Sequence, residues 1–522
     1  MEFVKKNLHQ MGIKKKAVSQ VTFDEDVNVP DAKPDVGRMI QKKGRIEISE
    51  VPVSEGKVKV IGTLQFWLLY VPDGEKKKIQ CLEGRIPFEE TIHLDGLANG
   101  DKVCLKWELE DLSVQLVNSR KLGIRGVASF WAFVEDPVDL SVPVDVKQAK
   151  DVTVKKQEER VLQLETRKKD IIRIKKEVSL PSGKPEIHEM IWQEVEVCNL
   201  ELRAEEGKVT ARGDLSVFCL YEGEDSDHSL QWMEQMVPFT GEADCPGASL
   251  EGIPVMEATL GQTGLAAVPD ADGEERILQA DVVLELDIRL YREETISLLQ
   301  DVYTPKKECR VTWKPETLES LLIHNSSKCR VSDRVELSAV ENKILQICHT
   351  EGNIKIDEEK MVTNGIQVQG VVEIRVLFLV SDDDMPFSAA EAVIPFRHVI
   401  EVPGIEKDCR YDLNGILEQI STTMLDSNEI EVKAVLGLDA LVVRQHTERI
   451  LQQVEERDLD PELISSLPGI VCYLVRPGDT LWDIAKKYYT TTEEIRSLNG
   501  LKDDHLEPMQ QLILVKEVQE EN

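Results

Sequence analysis

Along three stretches of the chain, apolar residues stand at every second position. Val58, Val60, Gly62, Leu64, Phe66, Leu68 and Tyr70 form the first. Val209, Ala211, Gly213, Leu215, Val217, Cys219 and Tyr221 form the second, and Ile366, Val368, Gly370, Val372, Ile374, Val376 and Phe378 the third. A period of two over this length predicts a long strand with one face in a core. The three are copies of one element. Eight residues after each glycine comes an aromatic (Tyr70, Tyr221, Phe378), and twenty-six residues after it comes Phe88, Phe239 or Phe396, each behind a proline. The mid-strand glycine predicts a bulge or a close crossing. Late in each copy, further alternating runs flank turn formers. These are Asn118-Ser119 in the first copy, Asp270 to Gly273 in the second and Asp426-Ser427-Asn428 in the third, and they predict hairpins. Lys33-Pro34 and Lys184-Pro185 open segments with Val36, Met39, Ile40 and Ile187, Met190, Ile191. Three-and-four spacing after proline predicts a short leading helix in each copy. The third copy keeps Ile344 and Ile347 but lacks the Lys-Pro.

The expected organisation is therefore a mainly β chain: three repeated antiparallel β-sandwich-like domains, followed by a small βααβ domain. Residues 1–25 read as a polar, loosely held segment, with repeats over 26–145, 146–300 and 310–450. The second repeat takes in leading linker strands, because Val161, Leu164, Ile171, Ile172 and Ile174 alternate within a charged stretch. Residues 451–470 read as an acidic linker containing Pro461 and Pro468, and 471–517 as the last domain.

That last domain has the clearest local signals. An alternating run from Val471 ends at Pro477-Gly478, a turn pair. Thr480 with Asp483, and Thr491 with Glu494, are spaced as helix N-caps with an acid three residues on. Leu481, Ile484, Ala485 and Tyr488 make one apolar helix face, and Asn499-Gly500 stops a second helix. A last strand runs from Gln511 to Val515.

The segment PGDTLWDIAKKYYTTTEEIRSLNGL resembles the LysM module, a small cell-wall glycan-binding domain. The resemblance implies a groove for N-acetylglucosamine chains between two loops. The first holds Gly478, Asp479, Thr480 and Leu481; the second holds Asn499, Gly500, Leu501 and then His505 to Pro508. Two positions depart from the family pattern: Met509 stands where glycine is usual, and Val515 where proline closes the strand. Since Met509 does not favour a positive φ, a reshaped second loop is expected. The same residues also serve as caps and turns, worth about 1 kcal/mol each in a domain this small.

PDAKPDVGRMI, GKVKVIGTLQFWLLY and IPFEETI resemble the SPOCS domain of spore-forming Firmicutes. Three such units ahead of one LysM is the arrangement of the SipL-type spore coat morphogenetic proteins. The resemblance implies a structural protein of the mother-cell cytosol that gathers at the forespore surface. Its expected partners are a coat morphogenetic ATPase of the stage IV sporulation protein A type and other coat proteins. Peptidoglycan or N-acetylglucosamine oligomers are the alternative ligand, and self-association stays open.

Composition narrows the field further. With 96 acidic against 63 basic residues the net charge is −33, which disfavours nucleic acid. No apolar run is long enough to span a membrane, and the first residues lack the apolar segment of a signal peptide. The ten cysteines include no C-x-x-C pair and read as reduced thiols. The nine histidines show no metal-ligand spacing, and no nucleophile, phosphate-loop or zinc-protease motif occurs. No enzyme activity, cofactor or metal is expected.

Overall fold

A computed structural model describes residues 1–74, 78–147, 151–337, 343–382, 386–460 and 468–515. The first unit contains β1 (Phe3–Asn28), β2 (Val36–Glu50), the two-residue β3 (Val53–Ser54), β4 (Lys57–Pro72), β5 (Gln80–His93), β6 (Val103–Asn118) and β7 (Lys121–Val146). They form two antiparallel sheets, β1-β7-β6 and β2-β4-β5, with one core between them. The second unit repeats this with β8 (Thr153–Ser179), β9 (Ile187–Glu205), β10 (Lys208–Gly223), β11 (Leu230–Asp244), β12 (Ile253–Pro269) and β13 (Glu275–Tyr303). Its sheets are β8-β13-β12 and β9-β10-β11. The third does so with β14 (Lys307–Glu336), β15 (Ile344–Val362), β16 (Gly365–Val380), β17 (Phe387–Glu401), β18 (Cys409–Met424) and β19 (Glu429–Asp458), giving β14-β19-β18 and β15-β16-β17. Each repeat is thus an antiparallel sandwich, and β4, β10 and β16 are the alternating strands read from sequence.

The leading helices do not form. Val36, Met39 and Ile40 lie in β2, and Ile187, Met190 and Ile191 in β9. The spacing has another cause. The pairing of β2 with β4 slips between Val36 and Arg38 and again between Met39 and Gln41. The β9 pairing slips opposite Leu220/Tyr221 and Glu222/Gly223, and β15 slips between Ile344/Gln346 and Ile347/His349. Each bulge inserts a residue, so a two-residue period becomes a step of three and imitates a helix.

The repeat glycines sit at such irregularities. A Cβ on Gly62 would lie 2.5 Å from the Glu47 carbonyl oxygen and 2.8 Å from the Phe88 ring. One on Gly213 would lie 2.9 Å from the Cys198 carbonyl and 3.1 Å from Phe239. In the third copy a Cβ on Gly370 would overlap the Lys355 carbonyl oxygen. Tyr70 and Tyr221 are buried, and their hydroxyls donate to the carbonyls of Pro34 (3.1 Å) and Pro185 (3.2 Å). Arg120 and Arg276 donate to the Lys33 and Lys184 carbonyls beside them. The third copy has neither the Lys-Pro nor the tyrosine hydroxyl, and Phe378 is buried in its place.

Residues 1–25 are not loose. They form most of β1, which pairs with β7 from Phe3↔Val146 to Asn28↔Lys121. The polar look arises because the first half of β1 belongs to a two-stranded ribbon, which buries one face only. The stretches that join the sandwiches behave alike. Residues 137–146 finish β7, 153–177 belong to β8, 294–303 finish β13, 307–330 belong to β14 and 445–458 finish β19. Of the expected linker, Pro461 lies outside the described residues.

These extensions give three ribbons, β1/β7, β8/β13 and β14/β19, which pack together. Leu8 and Val142 meet Val161, Ile296 and Leu298 from the second ribbon and Leu318 and Ile450 from the third. A second layer joins Phe3 and Val146 with Leu299, Val302, Leu451 and Val454. Towards the opposite end of the long strands the units meet again. Leu69, Leu220 and Leu377 occupy one repeat position, seven residues after the glycine, and share a buried cluster with Ile79, Trp192, Phe218 and Phe387. Contacts run in a cycle, β5 to β9, β11 to β15 and β17 to β2, so the three units close as a ring with pseudo-threefold symmetry.

Candidate functional site: the small terminal-strand domain and its seat

The small domain consists of β20 (Ile470–Leu474), α1 (Leu481–Lys487), α2 (Thr492–Asn499) and β21 (Gln511–Val515), with β20 and β21 paired antiparallel. The βααβ order is the one the sequence predicts. Leu481, Ile484, Ala485, Ile495, Leu512 and Leu514 form its core. Thr480 caps α1 by accepting from the Asp483 amide at 3.1 Å. Thr491 and Glu494 close a reciprocal capping box on α2, and Gly500 ends it at φ 64°.

The two loops of the expected groove adjoin. The Val475 amide donates to the Gln510 carbonyl at 2.9 Å, and the Met509 amide to the Val475 carbonyl at 2.8 Å. Met509 takes φ 70°, the conformation a glycine would supply, with its side chain 71 % exposed. Met509 itself therefore takes up the left-handed backbone, at a cost in strain.

The individual loop residues divide by role. Gly478 turns the chain at φ 92° and is exposed, as are Thr480, Gly500, His505 and Pro508. Leu481 is buried, and Leu501 is half-buried against the core. The Asp479 carboxylate accepts from the Tyr473 hydroxyl at 2.6 Å and the Arg476 amide at 2.8 Å, which hold it below the usual carboxylate range. The Asn499 side chain donates to the Ile495 and Ile513 carbonyls and accepts from the Ile513 amide, tying α2 to β21. Asp479 and Asn499 thus build the loops, and Gly478, Thr480, Gly500, His505 and Pro508 face solvent.

Sequence reading missed the seat of this domain. Tyr303, at the end of β13, is buried in the small domain's core. Its ring meets Trp482 edge-on at 4.9 Å, and its hydroxyl donates to the Thr490 carbonyl at 3.0 Å. Asp301 accepts from the Trp482 indole at 2.8 Å and pairs with Lys486 at 2.7 Å. The outer face of α1 is therefore fixed to the end of the second ribbon. No sequence signal marks Asp301 and Tyr303, because they fall between the second and third repeats as read from sequence.

A second cluster escaped notice for the same reason. Lys43, Glu194, His349 and Glu351 come from three units and converge between them, although their spacing in the chain carries no motif. Glu194, His349 and Glu351 lie close enough to share a cation, and the Lys43 ammonium already stands between the carboxylates.

Three segments, residues 35–117, 186–262 and 343–425, match the family model described as SipL, SPOCS domain. Residues 473–515 match the LysM domain. The fold and these matches define a protein of three SPOCS domains followed by a LysM domain. This is the SipL-type arrangement, and it supports a sporulation-related, LysM-bearing protein. Each SPOCS match starts at or just before the second strand of its unit, so the long first strand and the ribbons lie outside it. No curated protein and no solved structure matches the chain. Among the described residues, no helix is long and apolar enough to cross a membrane.

Proposed function

We propose that this chain is a non-enzymatic scaffold of endospore coat assembly. It would bridge a coat-basement ATPase at the forespore surface to other coat components, with the LysM as its docking module. The observation that carries this reading is the LysM seated on Asp301 and Tyr303. A module fixed to the body through one helix, with its loops free, transmits a binding event to the body as a rigid adaptor does. The fixed orientation also lets several weak contacts on one body act together. The three SPOCS units supply surface rather than chemistry. Burial pushes the Cys219 and Cys348 thiols up to about 12, so neither serves as a thiolate nucleophile.

The second reading is a peptidoglycan- or cortex-associated protein. It draws on Met509, whose positive φ is the conformation that the glycine usual at this position would supply.

The test is binding of the full chain to two immobilised targets side by side, the sporulation ATPase and N-acetylglucosamine oligomers. Each is measured with wild type and with a His505→Ala/Met509→Asp variant, whose changes are exposed and leave the core alone. Binding to the ATPase alone, weakened in the variant, supports the adaptor. Binding to the sugar alone, weakened likewise, replaces it with the second reading.

A further inference from the structure

Lys43, Glu194 and Glu351 are one position of the repeat. Each stands nineteen residues before its repeat glycine, Gly62, Gly213 or Gly370. The pseudo-threefold axis brings the three together: the Lys43 ammonium lies 3.0 Å from a Glu194 oxygen and 2.8 Å from a Glu351 oxygen. Glu194 is 3 % exposed and Glu351 8 %. The surroundings hold the pair of acids in place. Glu194 accepts from the Trp192 indole at 2.7 Å and meets His349 at 3.2 Å, and Arg375 pairs with Glu351. His349 also meets Glu234 at 2.7 Å and stacks on Phe218.

Around this position the ring is apolar and nearly symmetric. Leu69, Leu220 and Leu377 are equivalent, as are Ile79, Leu230 and Phe387. These matched apolar positions carry no charge that would set one unit apart from another. The interface is of the head-to-tail kind, in which each copy of the repeat presents an equivalent edge strand to an equivalent strand of the next. A ring could therefore borrow a unit from a second chain.

We propose that the axial Lys43–Glu194–Glu351 triad is the specificity element of this interface, and that its partner is this chain's own set of units. The first unit supplies the one cation that touches both carboxylates, while Arg375 and His349 each pair with one of them. Rings built from the second and third units alone would bury three carboxylates. Rings with two first units would bury two ammonium groups against one carboxylate. Both upset the charge balance at the axis, where a buried charge without a matched partner is far costlier than a lost contact. Polar groups in an otherwise apolar assembly select partners in this way at some expense of stability. Lys43 is a positioning residue in this role, and closure within one chain follows from it.

The experiment permutes the charge in the full chain. Wild type, Lys43→Glu, Lys43→Met and the double variant Lys43→Glu/Glu194→Lys are compared by light scattering for mass and by thermal melting. A mixture of two differently tagged chains is assayed for co-purification. The double variant moves the lysine to the next unit, keeps the Arg375–Glu351 pair and leaves His349 on Glu234.

Wild type is expected to be a closed monomer that does not exchange units. Lys43→Glu is expected to lose Tm and to associate or co-purify across chains, and Lys43→Met to fall between. The double variant is expected to regain most of the lost Tm and the monomeric mass. A Lys43→Glu chain as closed and as stable as wild type overturns the proposal. So does a double variant no better than the single one, since Lys43 would then act by local packing. If Lys43→Glu yields no soluble protein, the double variant decides alone: a closed monomer supports the proposal, and insoluble chain overturns it.

Discussion

Tyr70 and Tyr221 show how much of a repeat can rest on one hydroxyl. Each closes the Lys-Pro turn of its own unit, and the copy that lacks the turn also lacks the hydroxyl. Tyr70→Phe is expected to cost about 0.5–1.5 kcal/mol, the usual net value of one such bond. Phe378→Tyr in the third unit is expected to gain nothing; urea unfolding of each variant checks both. Gly62→Ala places a methyl against Glu47 and Phe88 and is expected to cost about 1–3 kcal/mol, as overpacking does. At Met509 the direction reverses. Glycine there removes the left-handed penalty of about 1–2 kcal/mol and restores about 0.5–1 kcal/mol of chain entropy cost. Met509→Gly should therefore stabilise the LysM slightly, read by hydrogen exchange in α2 and β21. His349 is pushed up to about 10: burial opposes the charge, but its bonds to Glu194 and Glu234 outweigh burial. A group raised in this way stabilises fully below the unfolded value near 6.5, and loses that contribution as pH climbs through its folded value. Glu351, raised to about 7 by burial and by the charge of Glu194, loses its share earlier, between its ordinary value of 4.5 and about 7. Thermal stability is therefore expected to fall from pH 6.5 to pH 10, and His349→Gln to flatten the fall.

Among the elements, the legible ones were those whose period is undisturbed. The strands β4, β10 and β16 alternate without a break on their core face, and their reading needed no tertiary knowledge. β2 and β9 did not alternate, because bulges insert residues near their starts, and periodicity took them for helices. Long ribbon strands such as β1 were hidden in another way. A ribbon has one buried face, shared with two other ribbons, so its apolar residues are sparse and its polar ones dominate. β1 therefore read as a loose end although Leu8 is wholly buried. The LysM was legible throughout, since its caps, turns and helix face are local. Its seat was not, since Tyr303 and Trp482 are far apart in the chain. Asp301→Ala/Tyr303→Ala is expected to release α1 while leaving the units intact. Hydrogen exchange should then rise in residues 481–487 and stay unchanged in β4, β10 and β16; equal exchange in α1 would mean that the seat carries no weight.

At the scale of the molecule, three sandwiches share two sets of contacts about one axis, apolar sheet faces towards one end and packed ribbons at the other. Sequence repeats announced three units but not their closure, because a ring contact leaves no period in the chain. Position-by-position equivalence recovers it afterwards: residues at one offset from Gly62, Gly213 and Gly370 meet in space. Closure also protects the sheet edges, since β5, β11 and β17 each face the next unit. Small-angle X-ray scattering from the full chain tests closure most directly. A single closed body of this length has a radius of gyration of about 24 Å by size scaling, and somewhat more when elongated. The closed ring with its seated LysM predicts a rigid-particle profile near that value. A flexible profile with a radius well beyond it, as separate domains on linkers would give, would contradict it.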